Sequence, residues 1–432
     1  MEKDNQDQKS NFDKTYSRRT ILKSAGVGGI GILIGASGLG GVIAAKDSSR
    51  TLFAKDENNK NTVSFYGKHQ AGVATKKPEF LYFASLDVKT NSRAELVDLF
   101  KDWTKAAAAM TAGKLIGEEQ KNGYVPPVDT GEAADLDPAN LTITFGVGPT
   151  LFRKNGNNRF GLANKQPKEL KVLPAFSLDA LDDEWSDGDL CIQVCSNDAQ
   201  VNFHAIRNLV RIARGKAVLK WGQEGFQGKE NSKKKKETPR NLFGFKDETV
   251  NLNPEQKKHF NNEVWVQKGD GPNWLADGSY LVVRKVQMHI EVWDRTSLNE
   301  QENTFGRHRL SGAPLGKQKE HDSMELDRKD EAGNPIVAKA SHVRRAHGNG
   351  KEELFRRSYS YSNGMSIQTG TFDAGLFFMC YQRFPSKQFI PVQKRLAKSD
   401  KLNEYITHKG SAIFACLPGV EKGGWIGETL FS

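Results

Sequence analysis

One order of segments occurs twice in this chain, and it constrains the fold more than any other feature. In the first half, an apolar run from Phe80 to Val88 reads as a strand. From Arg93 to Met110, Leu96, Leu99, Phe100 and Trp103 recur at helical spacing ahead of an alanine run. Gly188 to Cys195 is a second apolar strand. Asp198 then stands where it can cap a helix whose Ala205, Leu209, Ile212 and Ile206, Val210 fall on shared faces. The second half repeats the order. Ser279 to Val292 reads as one long strand, Ser297 to Asn303 as a polar helix, Gly375 to Tyr381 as a strand and Pro385 to Lys398 as a helix. The doubling predicts an α+β fold of two duplicated ferredoxin-like domains, antiparallel sheets with flanking helices. The expected boundaries are 61–222 for the N-terminal domain, 223–240 for a basic connecting loop and 241–432 for the C-terminal domain.

The first 60 residues carry a different message. Arg18-Arg19 stands before an uncharged stretch, Ser24 to Ala45, that holds eight glycines between positions 26 and 41. A paired arginine ahead of a mild apolar segment is the pattern of a twin-arginine export signal, here 1–45, followed by a polar linker at 46–60. Each glycine weakens a helix by about 1 kcal/mol relative to alanine, so the stretch makes a poor permanent membrane anchor. The expected location is outside the cytoplasm: extracellular, periplasmic or on the outer face of the membrane. Because this route carries folded proteins, often with a cofactor inside, it raises the expectation of a redox group.

Composition narrows the field. Apolar residues at 37% together with 41 glycines allow a true core and exclude wholesale disorder. Four cysteines, Cys191, Cys195, Cys380 and Cys416, exclude a disulfide scaffold and offer no CxxC zinc pair; they read as buried thiols. The net charge of +11 favours anionic partners. The run Lys233 to Lys236 has no interleaved aromatics, so it reads as a solvated loop and nucleic acid is not an expected partner. Phosphate-loop, dinucleotide, HExxH and GxSxG patterns are missing from the mature segment.

Three blocks stand out: Asn241-Leu-Phe-Gly244-Phe-Lys-Asp247-Glu248-Thr249-Val250-Asn251, Ser341-His342-Val343-Arg344 and Arg356-Arg357-Ser358-Tyr359. With Phe65 to Gly72, Thr144 to Pro149, His204 to Arg207, Trp293-Asp294-Arg295 and Gly306-Arg307, they resemble the dye-decolorizing (DyP-type) haem peroxidases, in the exported deferrochelatase/peroxidase branch, from about residue 62 onward. The resemblance implies one haem b per chain, held in the C-terminal half. It implies that His342 is the metal ligand, that Asp247 is the distal acid–base group and that Arg356 is the distal arginine. Glu248, Thr249, Val250, Asn251, His347, Gly348 and Asn349 would touch the cofactor. Arg356 is preferred over Arg357 because adjacent strand residues face opposite ways. His69 and His204 read as structural or pocket-rim residues, and Asp373 is a candidate hydrogen-bond partner on the proximal side.

Those residue types suit the chemistry. Haem iron needs a neutral imidazole held through its other nitrogen. Peroxide must move a proton from one oxygen to the other, which a carboxylate can do, and an arginine can neutralise the charge that develops. An aspartate in place of a distal histidine implies an acidic optimum. The family's GxxDG pattern, however, has Glu248 at its last glycine. Either that turn relaxes away from positive φ, or an extra carboxylate stands at the haem edge. The post-ligand loop Ala346-His347-Gly348-Asn349 also departs from the family's Asn-Pro-Arg type of sequence. The implied partners are hydrogen peroxide and haem, ferrous iron or an organic reductant, with an iron-uptake permease system and a homodimer as further expectations. Two iron roles stay open: release of iron from haem, or oxidation of ferrous iron. The alternative is a haem-binding or delivery protein with little turnover.

Overall fold

The structure, a computed structural model, describes residues 61–228 and 238–432. The expected signal, the expected linker and Lys233 to Lys236 lie outside the described residues. The strand order in each half follows from which runs are apolar on both faces. β1 (Phe80–Val88), β2 (Thr142–Val147) and β3 (Leu190–Ser196) are buried almost throughout, so they occupy the middle of a sheet, while β4 (Ala217–Phe226) alternates buried and exposed residues. They pair antiparallel in the order β2-β3-β1-β4. The helices α1 (Arg93–Thr111) and α2 (Ala199–Ile212) connect them. Asp198 caps α2 by accepting the Gln200 and Val201 N–H groups, as its position in the sequence indicates.

The second half repeats this arrangement. β5 (Ser279–Met288), β6 (Phe355–Arg356) with β7 (Tyr359–Met365), β8 (Phe372–Gln382) and β9 (Ile406–Cys416) pair antiparallel in the order β9-β5-β8-β7, with β6 continuing the line of β7 along β8. Both halves are therefore ferredoxin-like sheets. They join at two seams: Ala415 and Cys416 of β9 pair with Val147 and Gly146 of β2, and Phe226 of β4 pairs with Ser360 of β7.

Some expected boundaries shift. β5 stops at Met288 because a short helix, Ile290–Trp293, follows it, so the expected strand to Val292 is too long. β4 runs to Phe226, which makes strand of the first four residues expected to open the connecting loop. The polar helix is α4 (Leu298–Phe305), capped by Ser297, and the last expected helix is α6 (Phe389–Ser399). All four cysteines are free and buried. Among the described residues, no helix is long and apolar enough to cross a membrane.

Candidate functional site

The site rests on a small aromatic cluster separate from the two main cores. Phe243, Phe245, Trp293, Phe305, Leu402 and Tyr405 pack together, with Phe245 stacked on Phe305 at 4.1 Å between ring centres and Phe243 against Trp293 at 4.4 Å. Phe243 and Phe245 belong to the turn that ends in Asp247. Phe305 closes α4 beside His342, and Leu402 follows Asp400. One apolar cluster therefore supports the segments that deliver Asp247, His342 and Asp400, and each buried ring contributes roughly 1.5–3 kcal/mol.

His342 opens the six-residue helix α5 (His342–His347). Its approach depends on Gly306, which ends α4 at φ +82°. A Cβ there would lie 2.6 Å from Val343 and 3.0 Å from the Ser341 hydroxyl. The imidazole Nδ1 lies 2.6 Å from Oδ2 of Asp400. Asp400 is delivered by the end of α6, and its other oxygen accepts the Leu402 N–H at 2.9 Å. Burial works to lower the proton affinity of His342. The charge and hydrogen bond of Asp400 outweigh it, helped by the charge of Asp247, so the pKa is held above the ordinary value. The His342 side chain keeps 30% exposure. Among the described residues, nothing hydrogen-bonds Nε2.

Asp247 and Arg356 form an ion pair, with Nη1 donating to Oδ1 at 2.9 Å. The same carboxylate oxygen accepts the Glu248 N–H at 2.8 Å. Asn251 fixes the arginine's backbone from both directions: its Oδ1 accepts the Arg356 N–H at 2.9 Å and its Nδ2 donates to the Arg356 carbonyl at 2.8 Å. The second guanidinium nitrogen, Nη2, donates to the Val250 carbonyl at 2.9 Å. Arg357 turns the other way and donates to the Thr75 carbonyl, buried at 1% exposure, as strand alternation requires.

Glu248 does not take the first of the two courses expected from the sequence. Its φ stays at +69°, so the turn does not relax. Its carboxylate accepts from Lys77 Nζ at 2.8 Å and from the Ser358 N–H at 3.1 Å, which ties it to β7. Thr249 donates to Glu320, which also receives Lys246, while Val250 is mostly exposed. His347, Gly348 and Asn349 sit one turn beyond His342. With Arg344, Arg345, Lys339 and Arg395 they line a cationic cavity of about 490 Å³ that includes neither Asp247 nor Arg356.

Asp373 does not reach His342; it accepts from Asn363 instead, and Asp400 takes the proximal role. Nothing in the local sequence around Asp400 marks it, since it lies 58 residues from its partner. His69 stacks on Trp265 and bonds the Asp277 carbonyl, and His204 pairs with Asp129, so both are structural.

The donor set fits a haem. An imidazole fixed at Nδ1 leaves Nε2 able to hold the iron of a haem, and the charge of Asp247 helps raise that imidazole's proton affinity. Comparison with known proteins agrees. Residues 70–227 match the model of the Dyp-type peroxidase N-terminal domain and residues 238–421 that of the C-terminal domain. The chain is 37% identical over 425 residues to a deferrochelatase of Shigella flexneri serotype 5b, covering 96% of each. It is 37% identical over 420 residues to that of Escherichia coli K12, covering 94% of each. Among solved structures, DtpA from Streptomyces lividans superposes with a TM-score of 0.79 at 35% identity, covering 86% of this chain and 98% of that one. A DyP-type peroxidase from Cellulomonas bogoriensis superposes with a TM-score of 0.78 at 36% identity, covering 86% and 98%.

Proposed function

The chain belongs to the Dyp-type peroxidase family, and on that premise we propose that its haem-dependent peroxidase activity runs on His342, Asp247 and Arg356. Haem, when bound, supplies an iron centre that accepts oxidising equivalents from hydrogen peroxide and passes them to a donor. His342 would hold the iron through Nε2, with Glu248 to Asn251, His347 to Asn349 and Arg356 along the cofactor.

The residues then have separable tasks. Asp400 fixes the ring plane and tautomer of His342 and makes it a more basic ligand. Oδ1 of Asp247 is held by Arg356 and by the Glu248 N–H, which leaves Oδ2 to take a proton from one peroxide oxygen and return it to the other. Arg356 stays protonated throughout and offsets the negative charge that develops between the oxygens. Asn251 keeps that guanidinium in place by clamping its backbone.

The observations that carry this reading are the imidazole anchored at Nδ1 by Asp400 and the Asp247–Arg356 ion pair clamped by Asn251. The haem-carrier alternative loses its main support, because the carboxylate of Glu248 is engaged by Lys77 and Ser358.

An iron-related role is supported by the deferrochelatase relatives, and both iron release from haem and ferrous oxidation remain within the proposal. Arg18-Arg19 and the glycine-rich stretch support export by the twin-arginine route, and an iron-uptake permease and a homodimer complete it. The test is the visible spectrum and dye turnover of the full chain. The Soret band should be lost or shifted in His342→Ala. Asp247→Asn should keep haem yet lose about 10²–10⁴-fold in turnover. Turnover that survives Asp247→Asn would overturn the assignment.

A further inference from the structure

Away from the residues assigned to haem, one cluster has the chemistry of a metal site. His259 and Glu263 lie four apart on α3 (Lys257–Val264), so both project from the same face of the helix. Glu353 reaches the same point from the segment that leads into β6. One ligand atom from each lies within 4.8 Å of the others, and Nε2 of His259 is 2.7 Å from an oxygen of Glu353.

We propose that His259, Glu263 and Glu353 bind a divalent first-row transition cation, of the Mn²⁺, Fe²⁺ or Zn²⁺ class. One imidazole with two carboxylates favours such ions over Mg²⁺ or Ca²⁺, which take all-oxygen sites. With ligand bonds near 2.1 Å, the donor atoms need separations of roughly 3.0–3.4 Å. The His259–Glu353 pair must open by a few tenths of an ångström, and the widest pair must close by about 1.5 Å. Rotation of partly exposed side chains suffices, since His259 and Glu353 keep 46% and 43% exposure. That exposure also leaves the remaining coordination positions to water, so the ion exchanges with solvent.

Three further observations favour a cation here. The backbone around the ligands is held: the buried amide of Gln388 donates to the carbonyls of Glu263 and Glu353, joining the helix and the strand approach at fixed spacing. The two carboxylates crowd each other, with a ligand oxygen of Glu263 and one of Glu353 within 4.8 Å. Finally, the guanidinium of Arg383 is already committed to Asp270 by two hydrogen bonds, so it does not bond either carboxylate of the site.

The location gives binding a consequence. Phe260 of α3 packs edge-on against Phe355 at 4.9 Å, and Phe355 precedes Arg356 on β6. Only three peptide steps separate Glu353 from Arg356, so their Cα atoms lie within about 11 Å. An ion at this site pins α3 to the base of the strand that carries Arg356.

The experiment is Mn²⁺ binding to the haem-loaded full chain, followed by electron paramagnetic resonance and calorimetry, beside His259→Ala, Glu353→Gln and the double variant. These are surface side chains, and a retained Soret band and dye turnover will show that each variant is folded. The expected result is one Mn²⁺ per chain whose Kd rises at least tenfold in each single variant. Zn²⁺ should compete with it, and Ca²⁺ should not. Equal Kd in the wild type and the double variant would place any bound ion elsewhere and overturn the proposal, as would the absence of Mn²⁺ binding to the wild type.

Discussion

Replacing Glu248 tests how this chain builds the turn after Asp247 with a glutamate at positive φ. The residue sits at φ +69°, a conformation that costs a non-glycine residue about 1–2 kcal/mol. Against this stands the link from its carboxylate to Lys77 and the Ser358 N–H, where the Lys77 and Glu248 side chains are 15% and 14% exposed. Removing one partner of a buried pair costs roughly 3–5 kcal/mol. Lys77 would keep the Ser358 carbonyl at 2.9 Å and the face of Tyr359, so about 3 kcal/mol is the better figure here. Glu248→Gly loses the link but sheds the strain, for a net destabilisation of about 1–2 kcal/mol. Glu248→Ala loses the link and keeps the strain, for about 3 kcal/mol. Guanidinium unfolding of the two variants and the wild type measures both differences. Turnover in Glu248→Gly should stay within a few-fold of the parent, because the N–H that holds Asp247 belongs to the backbone. Equal stability of the alanine and glycine variants would refute the strain, and a glycine variant more stable than the parent would refute the link.

Other expectations follow from single contacts. Asp400→Asn keeps a hydrogen-bond acceptor for His342 but removes the charge, so haem affinity or turnover should fall about 10–100-fold; unchanged values in a haem titration would sink that role. Asn251→Ala frees the backbone of Arg356 in both directions and should lower turnover with little loss of haem, whereas parent-like steady-state kinetics would remove Asn251 from the machinery. Burial, and then the charge of Arg284, lower the pKa of His408 to about 3, against about 6.5 when unfolded. The unfolded chain therefore takes up a proton that the fold refuses. Stability is complete above pH 6.5 and falls as the pH drops toward 3, by about 2 kcal/mol at pH 5. His408→Gln should recover that amount relative to the parent between pH 7 and pH 5. A constant gap between the two unfolding midpoints across that range would show that His408 does not titrate in this way.

The parts of this molecule that could be read from its sequence share a physical trait: their signal is local. The apolar run Phe80 to Val88 is a strand with those bounds because a central strand is buried on both faces and its composition says so. Asp198 caps α2 because a cap needs only its own neighbours. β9 has a weaker signature: its first four residues are only half-buried and a bulge at Lys409 interrupts the pairing, so the apolar run covers only its last five residues. The end of β5 was read too far because Ile290 and Val292 are β-branched, yet they lie in a helical turn that places Trp293 in the aromatic cluster. The site divides in the same way. Asp247, His342 and Arg356 sit in compact blocks that mark them as candidates, while the residues that hold them do not. Asp400 lies 58 residues beyond His342, Glu320 lies 71 beyond Thr249, and Lys77 lies 171 before Glu248. Glu248 shows why such distances matter. Read locally, a glutamate at a glycine position must either relax the turn or place a charge beside the cofactor. Lys77 adds what that local view lacks: the turn stays strained and the charge of Glu248 is paired. No pattern within the motif could have supplied it, because the compensating cation is brought there by the opposite half of the duplicated fold.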